Sequence, residues 1–274
     1  MQEYNMRALA LNYDSGLVSD QARMNLENAI RMSGAGYVQI KSDAQRVCLK
    51  DNIEAWARRP SSEVFPSFCY GCREGYLDGA LLTAARLGVP LILLGDSQME
   101  KLIVTGPMLK FHKSNLIHFV MKFAKNCFYL HPKRVYHDLM VAAEFQLPVR
   151  FCQYLTRNRP RIVHFFDYVR YDDARILSTV REKMGWRKPA SSASGWRFDC
   201  QVHSLMEHMY RKKLGFTESD EMYSKMIREG SLSRSEALKL IELESQNDEE
   251  DVAVANELLN KLGLPNVERL LLLQ

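Results

Sequence analysis

Alternation of short apolar runs with amphipathic stretches over the first 96 residues constrains the fold of this chain more than any other feature. Residues 7–13 (RALALNY) read as a buried strand that stops at Asp14-Ser15-Gly16. A helix is expected from Asp20 to Met32, with Ala22, Leu26, Ala29 and Ile30 on its apolar face and Gly34 as its stop. Tyr37–Ile40 is a second strand. Asp43–Arg58 is a second helix, broken by Arg59-Pro60-Ser61-Ser62. Glu74–Leu87 is a third helix with Leu77, Ala80, Leu81 and Ala84 inward, ended by Gly88 and Pro90. Leu91–Leu94 is a wholly apolar strand closing on Gly95-Asp96. Apolar strands separated by helices imply an α/β fold of the doubly wound class, with one mostly parallel sheet covered on both faces. Residues 8–13 and Leu91–Leu94 are then expected as parallel strands of that sheet.

The rest of the chain reads as mostly helical. Residues 107–147 carry Lys110, Lys113, Lys122, Lys125, Lys133 and Arg134. Residues 161–171 (RIVHFFDYVRY) are strand-like, Asp172–Met184 is a helix, and Ser191–Gly195 is a small polar loop. From Asp199 onward only helices are expected. Ser233-Arg234-Ser235-Glu236 fits a capping box, residues 245–251 (SQNDEED) an acidic break, and two short helices flank Gly263 and Pro265. The division is an α/β region, 1–186, followed by a helical region, 187–274.

Length and composition bound the functions. A chain of 274 residues holds one large domain, or one domain with an appendage. There is no run of about 18 apolar residues, so no membrane span is expected. Glu3, Asn5, Arg7 and Asp14 in the first 20 residues argue against a secretory signal. Six cysteines in such a chain fit a reducing, cytoplasmic setting better than a disulfide scaffold. The net charge of +4 permits a phosphate-bearing ligand or RNA without demanding either. The lysine-bearing middle reads as a solvated face; a nucleic-acid surface is the minority reading, because no aromatic platform accompanies it.

Three cysteines carry the chemistry. Cys69-Tyr70-Gly71-Cys72-Arg73 stands at a helix N-terminus, where the dipole and Arg73 favour thiolate, the metal-binding form. Gly71 lets the backbone turn so that both sulfurs face one point. Cys200, in an Asp199-Cys200 step, brings a third thiol. Three occupants suit the set: zinc with His203 as fourth ligand, a [4Fe–4S] cluster with one iron left open, or no metal and a redox dithiol. Structural cysteines are the competing reading. If Cys69, Cys72 and Cys200 share a ligand, their sulfurs should converge within about 4 Å of one another. Cys48, Cys127 and Cys152 read as inert buried thiols. His112, His118, His131 and His137 read as surface or packing residues, and His164 as a core histidine with a satisfied ring.

Several segments resemble the PP-loop ATP pyrophosphatase superfamily, the adenine nucleotide alpha-hydrolase-like proteins. They are Asn12-Tyr13-Asp14-Ser15-Gly16 with Asn25; Phe68-Cys69-Tyr70-Gly71-Cys72-Arg73-Glu74-Gly75; and residues 84–90 (AARLGVP) with Leu94-Gly95. The Cys-x-x-Cys region is also similar to the tRNA 2-thiocytidine sulfurtransferases. Residues 164–168 (HFFDY), 185–187 (GWR), 224–230 (SKMIREG) and 233–238 (SRSEAL) resemble the N-acetyl sugar amidotransferase branch, which acts in surface polysaccharide biosynthesis.

The resemblance implies a HUP-like domain and an adenylating enzyme. ATP with Mg²⁺ would activate the substrate, and ammonia or sulfide would displace AMP. It implies a glutaminase subunit as ammonia source, a nucleotide sugar as substrate, and homo-oligomers. By the same resemblance Cys69, Cys72 and Cys200 would hold a [4Fe–4S] cluster. Asp14, Ser15, Gly16 and Gly95 would lie against the nucleotide, with Asp96 and Arg73 as catalytic candidates. One departure matters. The family's Ser-Gly-Gly-x-Asp-Ser loop, which cradles pyrophosphate, occurs nowhere in this sequence, and Asp14-Ser15-Gly16 aligns with the end of the next strand. The expectation is a chain that begins after that loop, with a gap where the first strand would stand. A degenerate, non-catalytic subunit with a structural metal site is the rival from another class, and an RNA-modifying accessory protein is a third.

Overall fold

The computed structural model describes residues 6–58, 68–96, 136, 139–140, 142–157, 159–188, 199–246 and 248–272. The lysines and histidines expected between residues 107 and 135, His137, Cys127 and the Ser191–Gly195 loop lie outside these residues.

The chain is mixed α/β and mostly helical. β1 (Leu9–Asp14), α1 (Asp20–Ser33), β2 (Gly36–Lys41), α2 (Ala44–Arg58), α3 (Tyr70–Leu87) and β3 (Leu91–Leu94) follow the expected order. A π-helical turn (Ala142–Gln146) leads into α4 (Leu147–Thr156). Then come β4 (Arg161–His164), a 3-10 turn (Phe165–Asp167) and α5 (Asp173–Met184). The C-terminal part holds α6 (Gln201–Leu214), α7 (Glu218–Arg228), α8 (Arg234–Ser245), α9 (Asp248–Lys261) and α10 (Val267–Leu272). Helix ends follow local chemistry. Ser19 and Asp172 cap α1 and α5 by accepting from Ala22 N and Arg175 N. Gly34, Gly88, Gly185 and Gly215 close helices at positive φ. The capping box at Ser233 and Glu236 is present in both directions.

β1 pairs β2 in parallel, Leu9 opposite Gly36 through Asp14 opposite Lys41. β3 pairs β4 in parallel, Leu91 opposite Arg161 through Leu94 opposite His164. Residues 9–14 and 91–94 are therefore strands in parallel pairs, as expected, but among the described residues the pairs are two separate sheets. Helix α3 packs against both β1 and β3. β3 differs from its reading as a fully buried strand: Leu91 and Leu93 are exposed, so only one of its faces is covered. The strand-like run after residue 161 stops at His164, because the 3-10 turn at Phe165 breaks the extended backbone.

Three further expectations change in detail. Helix α3 begins at Tyr70, so Cys72 and Arg73 lie within its first turn. The acidic stretch does separate two helices, α8 ending at Ser245 and α9 starting at Asp248, but the break is shorter than expected: Asp248, Glu249, Glu250 and Asp251 already form the first turn of α9, where the positive dipole end favours them. The largest core joins both halves of the chain. Leu49, Ile53 and Trp56 of α2 meet Leu205, Met209 and Tyr210 of α6 and Leu258 and Leu259 of α9, all essentially solvent-free. The C-terminal helices thus complete the core of the N-terminal segment. On their surface, Asp248 accepts from His208 and Arg211, each at 2.9 Å. Burial works against its charge, but His208, Arg211 and Lys212 outweigh that and hold its pKa below the usual carboxylate range.

Candidate functional site

Parallel strands offer their C-terminal ends to ligands, and most of the expected site residues lie at such ends here. β1 ends in a tight turn. Asp14 Oδ1 accepts from Gly16 N at 2.9 Å, Gly16 takes φ 73°, and Ser15 is buried with its hydroxyl accepting from Leu17 N. Asp14, Ser15 and Gly16 line a cleft of ≈ 290 Å³ with Lys41, Ser42 and Asp43 from the end of β2. Lys41 is the cation lining this cleft, and no motif or spacing in the sequence marks it.

The second pair of strands has its own opening. Gly95 and Asp96, just past β3, line a cleft of ≈ 260 Å³ with Tyr76 and Leu94. Tyr76 also packs against the cluster of Tyr13, Ala44 and Cys48, so one α3 side chain links the two regions. His164, the last residue of β4, places Nδ1 2.7 Å from Asp96 Oδ1. Its ring is satisfied, as expected, but it is not a core residue: both side chains are about one-third exposed (34% and 35%). A carboxylate on Nδ1 fixes the tautomer and aims Nε2, the arrangement of a histidine that handles protons or binds a metal.

The three cysteines come into one neighbourhood, but their sulfurs do not converge as a shared ligand requires: among the described residues the donors lying within 4.8 Å of one another are those of His203, Glu207 and Glu218, not the three thiols. Cys69 is the N-cap of α3, and its thiol donates to Met206 Sδ at 3.6 Å. Cys200 is the N-cap of α6. Its strand-like backbone is bridged to Val18, with Ser19 N donating to Asp199 O and Gln201 N to Leu17 O. Cys69 and Cys200 pack on the main core and Cys72 on the Tyr13 cluster, so the thiols sit where two cores meet. Burial pushes the Cys200 thiol strongly up, and the charges of Cys69 and Cys72 push it further. In the absence of a cation Cys200 is thus a thiol. Arg73 is exposed on α3 and lines neither cleft.

Buried Gln45 on α2 holds this turn. Its Nε2 donates to Phe68 O at 2.7 Å and its Oε1 accepts from Cys72 N at 2.7 Å. Gln45→Ala would strand a carbonyl and an amide at the start of α3. The expected loss is about 2–4 kcal/mol in urea unfolding, at about 1–3 kcal/mol for each buried group left unpaired. An unchanged midpoint would show that the clamp is dispensable.

The suggested fourth zinc ligand, His203, is grouped by the structure with two carboxylates, Glu207 and Glu218. No family model, curated protein or solved structure matches the chain.

Proposed function

We propose that this chain is an ATP-dependent, adenylating transferase of PP-loop design, of the amidotransferase type, built on a doubly wound sheet of which β2-β1 and β3-β4 are the two halves. The observation that carries this reading is the placement of Asp14-Ser15-Gly16 and of Gly95-Asp96 in clefts at the C-terminal ends of two parallel strands. Lys41 would contact phosphate oxygens, and Asp14 and Asp43 would hold Mg²⁺, a hard cation that takes carboxylate and water ligands. His164, held by Asp96, would accept the proton that an attacking ammonia or sulfide gives up. The substrate class is an N-acetyl sugar carried on a nucleotide, with ammonia delivered by a glutaminase subunit.

The cysteine set fits a metal centre by its chemistry. Three soft donors lie in one neighbourhood, from which the sulfurs would have to close in to share an ion, and one is a buried thiol that a cation would convert to thiolate. Cys69, Cys72 and Cys200 would hold a [4Fe–4S] cluster or zinc. A cluster with an open iron would supply sulfide-transfer chemistry; zinc would supply structure. The rival is a non-catalytic subunit with a structural metal.

Anaerobic purification with iron, sulfide and zinc analysis, followed by calorimetric titration with ATP·Mg²⁺, tests both. The expected result is about one metal centre per chain, lost in Cys69→Ala and Cys72→Ala, together with ATP binding that Lys41→Ala weakens. A metal centre without ATP binding would leave the subunit reading standing. Within the enzyme reading, His164→Asn should lower AMP release by about 10²–10⁴-fold, the range for general acid–base catalysis, with little change in ATP affinity. Loss of affinity with unchanged turnover would make His164 a binding residue instead.

A further inference from the structure

A second constellation lies apart from the strand ends. His203 and Glu207 stand one turn apart on α6, and Gly215, at φ 74°, reverses the chain so that Glu218, the first residue of α7, meets them. One donor atom from each residue lies within 4.8 Å of the other two. The Glu207 side chain is only 6% exposed. Its Oε1 faces His203 Nδ1 at 4.0 Å, too far for a hydrogen bond, and has no hydrogen-bond partner among the described residues. Glu218 is equally buried.

Two buried carboxylates side by side are unfavourable unless something neutralises them. Burial, and then the charges of Glu218 and Glu244, raise the pKa of Glu207 to about 8, while a hydrogen bond with Thr217 and the charge of Arg211 oppose the rise without cancelling it. We infer that His203, Glu207 and Glu218 form a binding site for a divalent transition cation, Mn²⁺ or Zn²⁺. The gap of 4.0 Å is wide for a hydrogen bond, and a slight contraction lets one ion lie about 2.0–2.2 Å from both atoms. One imidazole with two carboxylates is a borderline-to-hard donor set. The imidazole favours a transition ion over Ca²⁺, and the absence of sulfur from the set disfavours soft ions such as Cu(I). The inference does not depend on nucleotide chemistry or on the cysteines. The competing occupant is a proton on Glu207.

Mn²⁺ alone is the probe, because thiolates have little preference for it and the cysteine centre will not compete. The full chain, stripped with chelator, is titrated with Mn²⁺, and free ion is followed by electron paramagnetic resonance. The expected result is one Mn²⁺ per chain. Glu207→Gln and Glu218→Gln should each weaken binding by at least about 10–100-fold, a loss already seen for outer-shell partners. Cys69→Ser should leave Mn²⁺ affinity unchanged, which separates failure of this site from failure of the cysteine centre. The amide substitutions keep the side-chain shape and remove a buried charge, so both variants should fold. Mn²⁺ should raise the melting temperature of the parent chain and not that of Glu207→Gln. Absence of stoichiometric Mn²⁺ from the parent chain, or parent-level affinity in both glutamine variants, would overturn the site in favour of a protonated Glu207.

Discussion

Gly71→Ala should destabilise the chain by about 2 kcal/mol, although alanine is the better helix former. A Cβ built at Gly71 would lie 2.8 Å from the carbonyl oxygen of Ala44 and 2.8 Å from Cα of Gln45. Both are backbone atoms in the first turn of α2, so no side-chain rotation relieves the overlap. Helix α2 must back away, and with it Gln45, whose two hydrogen bonds fix the start of α3. Overpacking of this kind costs about 1–3 kcal/mol, here at the upper end, and helix propensity returns about 1 kcal/mol. The same replacement at an open helical position would stabilise, so the sign is the test. Gly75 and Gly79 continue the stripe at helical spacing. A Cβ at Gly75 would overlap the Tyr13 ring, and one at Gly79 would lie 2.7 Å from Ile40 Cδ1, the flexible end of a side chain. The expected order of damage in urea unfolding is therefore Gly71, Gly75, Gly79. A Gly71→Ala chain as stable as its parent would show that α2 and α3 do not approach as closely as described.

The stripe also shows what periodicity misses. The sequence placed β1, α1, β2, α2 and β3 within a few residues of their observed bounds, because apolar spacing, caps and closing glycines are local signals. For α3 the same spacing singled out Leu77, Ala80, Leu81 and Ala84, of which Ala84 is buried and the other three are only half-buried. The close face is made by Gly71, Gly75 and Gly79, residues with no side chain for an apolar pattern to register. Pairing is illegible for a related reason. Four strands read from the chain do not say which edges meet, and β1-β2 and β3-β4 form separate parallel pairs among the described residues. Residues of the candidate site were legible where a turn or a short motif marks them: Asp14-Ser15-Gly16, Gly95-Asp96 and the Cys-x-x-Cys. The partners were not. His164 meets Asp96, 68 positions earlier in sequence, only because β3 and β4 pair in this register. Glu207 looks like any helical carboxylate until α7 folds back and buries it beside Glu218.

That burial should appear as a pH dependence in the metal-free chain. Glu207 has its pKa raised from 4.5 to about 8, first by burial and then by Glu218 and Glu244. Below about pH 4.5 folded and unfolded chains both carry the proton, and the contribution to stability is fully present. As pH rises above that, the unfolded chain releases the proton while the folded chain keeps it. The folded state then binds more protons, and stability falls until Glu207 ionises in the folded chain near pH 8. The slope is about 1.4 kcal/mol per pH unit at most, which amounts to a few kcal/mol across the window. Asp173 and Asp251, raised chiefly by burial, act in the same direction at its acid end. Asp248, held low by its cationic partners, has the opposite sign and acts only at more acid pH. Glu207→Gln carries no proton to lose, so comparing it with the parent chain cancels every other titrating group. In chelator, urea midpoints at pH 5, 6.5 and 8 should show the variant gaining on the parent at each step. A difference that stays constant across the three would mean that Glu207 titrates alike in both states, and that its carboxylate is not shut away from water as its burial in the fold requires.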